Sequence, residues 1–371
     1  MKIGASRESD PNEHRVALVP ETVQRLAKAG NELFIEADAG TEAGFPDSAY
    51  TEAGATVASA SDIAGSVDIF VHVQPPTVEE IGTLKKGSIV VSTLNARTNP
   101  EGVSALASAG STALAMELVP RIARAQRMDV LSSQASIAGY KAALLAANSL
   151  GKYLPMMMTA AGTIPPAKIL VLGAGVAGLQ AIATARRLGA VVEAFDVRAA
   201  AGEQVESLGA KFIQPPAAED AEGAGGYARE QTEDEQTAQR EFLKEHIAEA
   251  DAVITTAAIP GRPAPLLMTE DMVDVMRPGS VVIDLAAESG GNVAGTVAGE
   301  IVNKNGVSIN GPINVPSSMP FHASQLYSRN IMALLDLIID KEGTINLDFE
   351  DEVIDATCVA HEGEARHGLG E

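Results

Sequence analysis

At 371 residues, 46% of them apolar and 20% charged, the chain can bury large cores and is expected to form two domains rather than one. Its 49 acidic against 27 basic side chains give a formal charge of -22, which argues against a nucleic-acid backbone or an anionic membrane surface as the partner. The single Cys358 allows no internal disulfide and the N-terminus shows no charged-then-apolar leader, so a soluble, intracellular protein is expected.

From the first residues, short apolar runs alternate with amphipathic stretches: "KIGAS", "PETVQRLAKAG", "ELFIEA", then "DIFVHV", "SIVVST" and "STALAM". Runs that are apolar almost throughout read as strands covered on both faces of a parallel sheet. Pro20, Gly30, Gly54 and Pro100 fall between the runs, where turns and helix ends tolerate them. The segment "RIARAQRMDVLSSQ", residues 121 to 134, interrupts this rhythm. It sets three arginines, an aspartate and several amides and hydroxyls at nearly every helical angle, whereas a helix that only faced water would alternate them with apolar positions.

A second rhythm follows in "KILVLG", "AVVEAFD", "AKFIQ", "DAVITT" and "SVVIDL", with helical patterns such as "VAGLQAIATARRLGA" between them. This predicts a second doubly wound domain over residues 141 to 325. The first domain is expected over 1 to 140 together with 326 to 371, because "ASQLYSRNIMALLDLIID" has the spacing and length of a helix that crosses back. The "MMM" of residues 156 to 158 reads as core filling or an inter-helix contact. Residues 217 to 242 are rich in charge, Ala and Gly and nearly devoid of aliphatics, which fits either a solvated excursion or a functional loop.

The strongest local signal is "VLGAGVAG": Gly173, Gly175 and Gly178 give G-x-G-x-x-G directly after an apolar strand and directly before a helix that Val176 opens. The first glycine permits the tight turn, the second lets a pyrophosphate approach the backbone, and the third lets helix and strand pack closely. Free N–H groups and the positive dipole end of the helix then face the phosphates. The next strand ends at Asp196, about where an acid that binds the ribose 2'-hydroxyl belongs, which favours NAD over NADP. Arg198 leaves the other choice open, since it could pair with a 2'-phosphate. The fold class expected is therefore α/β, with two Rossmann-like doubly wound parallel-sheet domains separated by a cleft. The six histidines are scattered, and no metal site is expected. Only 11 of the basic residues are lysine, and low lysine with excess acid resembles proteins of salt-loving organisms.

The stretches "EHRVALVPETVQRLAKAG", "AMELVPRIARAQRMDVLSSQASIAGY", "PMMMTAAGTIPPAKILVLGAGVAGLQAIATARRLGA", "ITTAAIPGRPAP" and "RPGSVVIDLAAESGGN" together resemble the NAD-binding domain I of proton-translocating nicotinamide nucleotide transhydrogenases. The resemblance runs over nearly the whole chain. It implies a subunit that binds NAD(H) and exchanges hydride with NADP held by a partner domain, while a membrane-spanning partner conducts protons. It also implies a homodimer, and a cytoplasmic place at the inner face of the membrane reached only through those partners. Carried over residue by residue, Gln126 bridges to the nicotinamide ribose, Arg121 and Asp129 form a linked pair beside the ring, and Ser132 contacts the carboxamide region. "AGGYARE" corresponds to the family's mobile loop, with Gly226 and Tyr227 at the nucleotide. Ala258 in "ITTAAIPGRPAP" joins the cofactor-binding set.

Alanine dehydrogenases are similar in fold and share "HRVALVP", including Arg15, which in that family meets the substrate carboxylate. Their catalytic lysine and histidine are replaced here by Gln74 in "HVQPP" and Asn95 in "STLNART", neither of which shuttles a proton near neutral pH. A saccharopine-type dehydrogenase would share the fold without the "RAQ" segment, and a nucleotide-sensing module would bind without turnover.

Overall fold

The structure, a computed structural model, describes residues 1–215, 232–258, 261–340 and 342–369. The chain divides into two compact units, Met1–Gln134 with Pro316–Glu371, and Ala135–Val315. The sequence placed these divisions at 140/141 and 325/326. The first observed division falls inside a continuous helix, Val130–Ser149, where no turn residue marks it.

In the first unit the apolar runs become β1 (Lys2–Ala5), β2 (Glu32–Glu36), β3 (Ala55–Ala58), β4 (Ile69–Val71), β5 (Ile89–Ser92) and β6 (Thr112–Ala115). They pair in parallel in the order β6-β5-β4-β1-β2-β3, and the returning C-terminal segment adds Cys358–His361 antiparallel to β6. One face of this sheet, with Ile3, Ile35, Val71 and Leu114, packs on Leu18 and on Tyr327, Ile331 and Leu335 of the helix Pro320–Ile338. The other face, with Phe70, Val90 and Ala113, packs on Ile63, Ile81 and Leu106. Burial on both faces is why these strands read as unbroken apolar runs.

The second unit begins with a hairpin, β7 (Met157–Thr159) and β8 (Gly162–Ile164), that belongs to neither large sheet. Met156 is 58% and Met158 80% exposed, so the triple methionine is not core filling. A lone two-stranded ribbon has no third layer to bury against. There follow β9 (Lys168–Leu172), β10 (Val191–Phe195), β11 (Lys211–Phe212), β12 (Ala252–Thr255) and β13 (Val281–Asp284), the five expected strands. Two more were not foreseen, β14 (Ile301–Lys304) and β15 (Val307–Asn310). Their turn, Asn305-Gly306, has positive φ at both residues, the ordinary signature of a tight hairpin. Polar residues alternate through both strands, so neither shows the continuous apolar run that marks the others. The sheet order is β11-β10-β9-β12-β13-β15-β14, all parallel except the last pair. Residues 233–242, read from sequence as belonging to an excursion, lie in a helix, Glu233–Glu249, that buries Gln239, Leu243 and Ile247. Among the described residues no helix is long and apolar enough to cross a membrane.

Candidate functional site

In the second unit the chain starts at β9, builds β10 and β11 on one side, then returns to build β12 and β13 on the other. The carboxyl ends of β9 and β12 thus flank the point where the winding reverses, the usual ligand position in such sheets. Gly173, Ala174 and Gly175 fill the turn from β9 into the helix Val176–Arg187. Gly173 has φ +98°, and a Cβ there would lie 2.6 Å from Thr256 Oγ1. A Cβ on Gly178 would lie 1.8 Å from the Gly173 carbonyl oxygen, so helix and loop close only over glycine. Gly175, by contrast, has nothing within 4 Å of where a Cβ would stand, and it is exposed next to Val176 at 40%. Two glycines pack the loop, and the third leaves open space at a helix N-terminus whose first N–H groups lack intrahelical acceptors. That arrangement fits a phosphate.

Asp196, directly after β10, is buried and holds the same loop. Its Oδ2 accepts from the Ala174 N–H at 2.7 Å and from Arg198 Nη2 at 2.9 Å; its Oδ1 accepts from the backbone N–H and Nε of Arg198, both at 2.9 Å. Burial pushes this carboxyl up, but the Arg198 guanidinium and the two backbone N–H groups outweigh it and hold it below the ordinary carboxylate value. The two residues weighed against each other from sequence therefore form one ion pair at the end of β10.

Three residues on the other side of the reversal point escaped sequence reasoning. Thr256 Oγ1 donates to the Gly173 carbonyl at 3.1 Å. Asp284, fully buried at the end of β13, accepts from Thr255 Oγ1 (2.9 Å), Thr296 Oγ1 (2.8 Å) and the N–H groups of Ala286, Asn292 and Val293. Asn292 accepts from the Ala257 N–H at 3.1 Å and donates to the carbonyls of Ala257 and Pro265, both at 2.8 Å. The signal available was an aspartate closing the apolar run "SVVID", where a strand end buried on both faces tolerates a carboxylate only if donors surround it. Ala258 lies exposed just beyond this clamp; Gly226 and Tyr227 lie outside the described residues.

In the first unit, the segment 121–134 is a 3-10 helix, Ala123–Met128, followed by the start of the helix Val130–Ser149. Its polarity is less uniform than the sequence suggested, because Ala125, Met128 and Val130 are buried in the core. Several polar groups are anchors: Arg124 makes a bidentate pair with Asp351 at 2.8 and 2.9 Å, Ser133 donates to Asn330, and Gln134 bonds Arg15 and the Ala323 carbonyl. Asp129 caps the following helix, accepting from the Ser132 N–H at 2.8 Å and from Ser132 Oγ at 2.6 Å. Asp129 and Ser132 are thus in contact, while Arg121 and Gln126 lie exposed. Among the described residues, the Gln126 side chain has no hydrogen-bond partner.

Arg15 lies in a separate buried cluster of the first unit. Its Nε and Nη2 bond both oxygens of Glu13 at 2.7 and 2.6 Å, its Nη1 bonds Gln134 at 2.9 Å, and Gln74 Nε2 adds a third donor to Glu13 at 2.8 Å. Glu8 accepts from the N–H groups of Val73 and Gln74 and lies 3.1 Å from His72 Nδ1, with both residues buried. Burial pushes Glu8 up to about 7, against the pull of His72. Asn95 is exposed in a loop with φ +52°.

The sequence matches the family described as Alanine dehydrogenase/PNT, by its N-terminal domain over residues 4–138 and its C-terminal domain over residues 142–368. It is 49% identical to the first polypeptide of the divided NAD(P) transhydrogenase alpha subunit of Rhodospirillum rubrum, over 99% of this chain and 98% of that one. The crystal structure of transhydrogenase from Sinorhizobium meliloti superposes with a TM-score of 0.88 at 47% identity, covering 99% of each chain. The alanine dehydrogenase of Bacillus subtilis is more distant, 29% identical over 93% of this chain and 87% of that one. The chain belongs to the alanine dehydrogenase/PNT family, among the NAD(P) transhydrogenase alpha subunits.

Proposed function

We propose that the chain binds NAD(H) and exchanges hydride with NADP held by a partner domain, in a complex whose membrane-spanning partner couples the exchange to proton movement. The observation that carries this reading is the glycine cradle, closed at Gly173 and Gly178 and open at Gly175, in a chain 49% identical to a transhydrogenase alpha subunit. The nicotinamide ring supplies the hydride when bound. The protein's own task is to hold and orient: the N-terminus of the helix Val176–Arg187 takes the phosphates, and Asp196 with Arg198 receives the adenosine ribose. A ribose hydroxyl that donates to Asp196 must share a carboxylate already accepting four bonds, whereas a 2'-phosphate would meet that carboxylate head on; this supports NAD over NADP. Gln126, exposed and without a partner among the described residues, is assigned to the nicotinamide ribose, with Arg121, Asp129 and Ser132 beside the ring and Tyr227 closing over the nucleotide. Hydride transfer needs no protein acid or base but does need two rings held close and correctly faced. The alanine dehydrogenase alternative would require a proton shuttle at Gln74, whose amide instead donates to Glu13.

A homodimer and a peripheral position at the inner membrane face complete the proposal. The exposed Tyr153, Met156, Met158 and Ile164 offer apolar surface that a second copy would cover. The acidic, lysine-poor surface supports a salt-adapted source.

The test is single-turnover mixing. Alone, the chain binds NADH and reduces nothing; with an NADP-binding partner domain it transfers hydride. Gln126→Asn keeps the amide but shortens its reach, so the transfer step falls about tenfold or more while the NADH dissociation constant changes by about twofold or less. Wild-type transfer by this variant, with chemistry rate-limiting, removes residues 121–134 from the site.

A further inference from the structure

We infer that Asn292 is a positioning residue that holds the backbone wall on the nicotinamide side of the dinucleotide site, with Asp284 fixing it from behind; this rests on the dinucleotide reading above. The sheet order supplies the sidedness. The phosphate cradle lies at the end of β9, and the ribose-binding pair Asp196–Arg198 lies at the end of the neighbouring β10. A dinucleotide with its pyrophosphate at Gly175 and its adenosine toward β10 runs its other half over β12, on the opposite side of β9. The backbone that continues from β12 there is Thr256, Ala257 and Ala258.

That backbone is not held by the sheet ladder beyond the Thr256 N–H, which donates to the Leu172 carbonyl at 2.9 Å. The next peptide is held by Asn292. Its amide engages both the N–H and the carbonyl of Ala257, and its second N–H reaches the Pro265 carbonyl, so one side chain ties together both ends of the connection from 257 to 265. Asn292 is fully buried, and its own backbone N–H is fixed by Asp284 Oδ2 at 2.8 Å. Its carbonyl accepts from Leu267 and Met268, closing the far end of the same connection. Asp284, Asn292, Ala257, Thr256 and Gly173 therefore form one chain of bonded groups that sets the β12 end against the phosphate loop. A side chain with one acceptor and two donors is required, since the three backbone groups it meets are one N–H and two carbonyls.

Binding of NADH is compared with binding of ADP, which has only the adenosine half and the diphosphate. Wild type binds both. Asn292→Ala leaves the ADP dissociation constant within about twofold of wild type and weakens NADH by about tenfold or more. Asn292→Ser, whose hydroxyl can still meet Ala257, falls between the two and also carries the test if the alanine variant melts below the assay temperature. Unchanged NADH affinity, or equal weakening of NADH and ADP, overturns the positioning role and leaves Asn292 a loop staple. A wild-type chain that binds neither nucleotide overturns the dinucleotide reading itself.

Discussion

Glu8 in the first unit and Asp196 in the second are almost equally buried, at 7% and 6% exposure, yet they shift in opposite directions. Both feel burial as the largest effect, and both accept two backbone N–H bonds. Glu8 is pushed up to about 7, whereas Asp196 is held below the ordinary carboxylate value. The difference lies in the cation. Arg198 is charged at every accessible pH and meets Asp196 with two guanidinium nitrogens, while His72 offers one ring nitrogen at 3.1 Å and a charge that itself titrates. Burial to the same depth therefore does not set the charge of a carboxylate; the permanence of its partner does.

The comparison is broken most severely at Arg15, which gives Glu13 the same permanent cation that Arg198 gives Asp196. Arg15→Ala leaves a fully buried carboxylate facing only Gln74 and a backbone N–H, and it is expected to cost about 3–5 kcal/mol of stability in denaturant unfolding. A loss under about 1 kcal/mol would mean that Glu13 is rehydrated or protonated at little cost. Next in size is Asp196→Asn, which keeps the shape but removes the charge against Arg198 and one acceptor for the Ala174 N–H. It is expected to cost about 2–3 kcal/mol and to narrow the preference for NADH over NADPH, read from paired titrations. If the preference survives unchanged, the carboxylate serves the loop and not the ribose.

The smallest effect concerns the sign of the pH dependence. Glu8 binds its proton more tightly in the folded chain than its ordinary value of 4.5 allows, so its contribution is full below 4.5 and is lost as pH rises through about 7. His72, raised by Glu8 against the effect of burial, acts in the same direction; Glu13, Arg15 and Tyr327 are the other ionisable groups around the pair. Asp196 has the opposite sign, its contribution being lost only as pH falls below 3.8. Between pH 5 and 8 wild type is expected to lose on the order of 2 kcal/mol relative to Glu8→Gln. Parallel melting curves for the two chains across that range would show that Glu8 does not titrate there.

What was legible in the sequence follows from which signals are local. The cradle could be read because each glycine answers a backbone demand within six residues: the turn at Gly173, the opening at Gly175, the contact at Gly178. The parallel strands could be read because burial on both faces leaves no polar position. Clusters assembled from distant positions were not legible: Glu8 with His72, or Asp284 with Asn292 and Ala257, since a charged residue inside a loop looks the same whether it faces water or a ring of donors. Segment 121–134 shows both cases. Its polarity was visible, but the division into anchors such as Arg124 and exposed groups such as Gln126 depends on Asp351 and Asn330, more than 200 residues away. The same limit applies to Gly139, where a Cβ would lie 2.0 Å from the Ala177 carbonyl, a helix contact that no motif announces.

The free-standing ribbon of β7 and β8 carries a chemical consequence. Its thioethers at Met156 and Met158 stand in solvent, while those of Met116, Met268 and Met272 are sealed in the two cores. Mild peroxide should therefore convert the ribbon methionines to sulfoxides first, and any surface that covers the ribbon should slow that conversion. A sulfoxide is polar and chiral where the thioether was soft and apolar. Oxidation would thus change what the ribbon can bind while leaving both folded units intact.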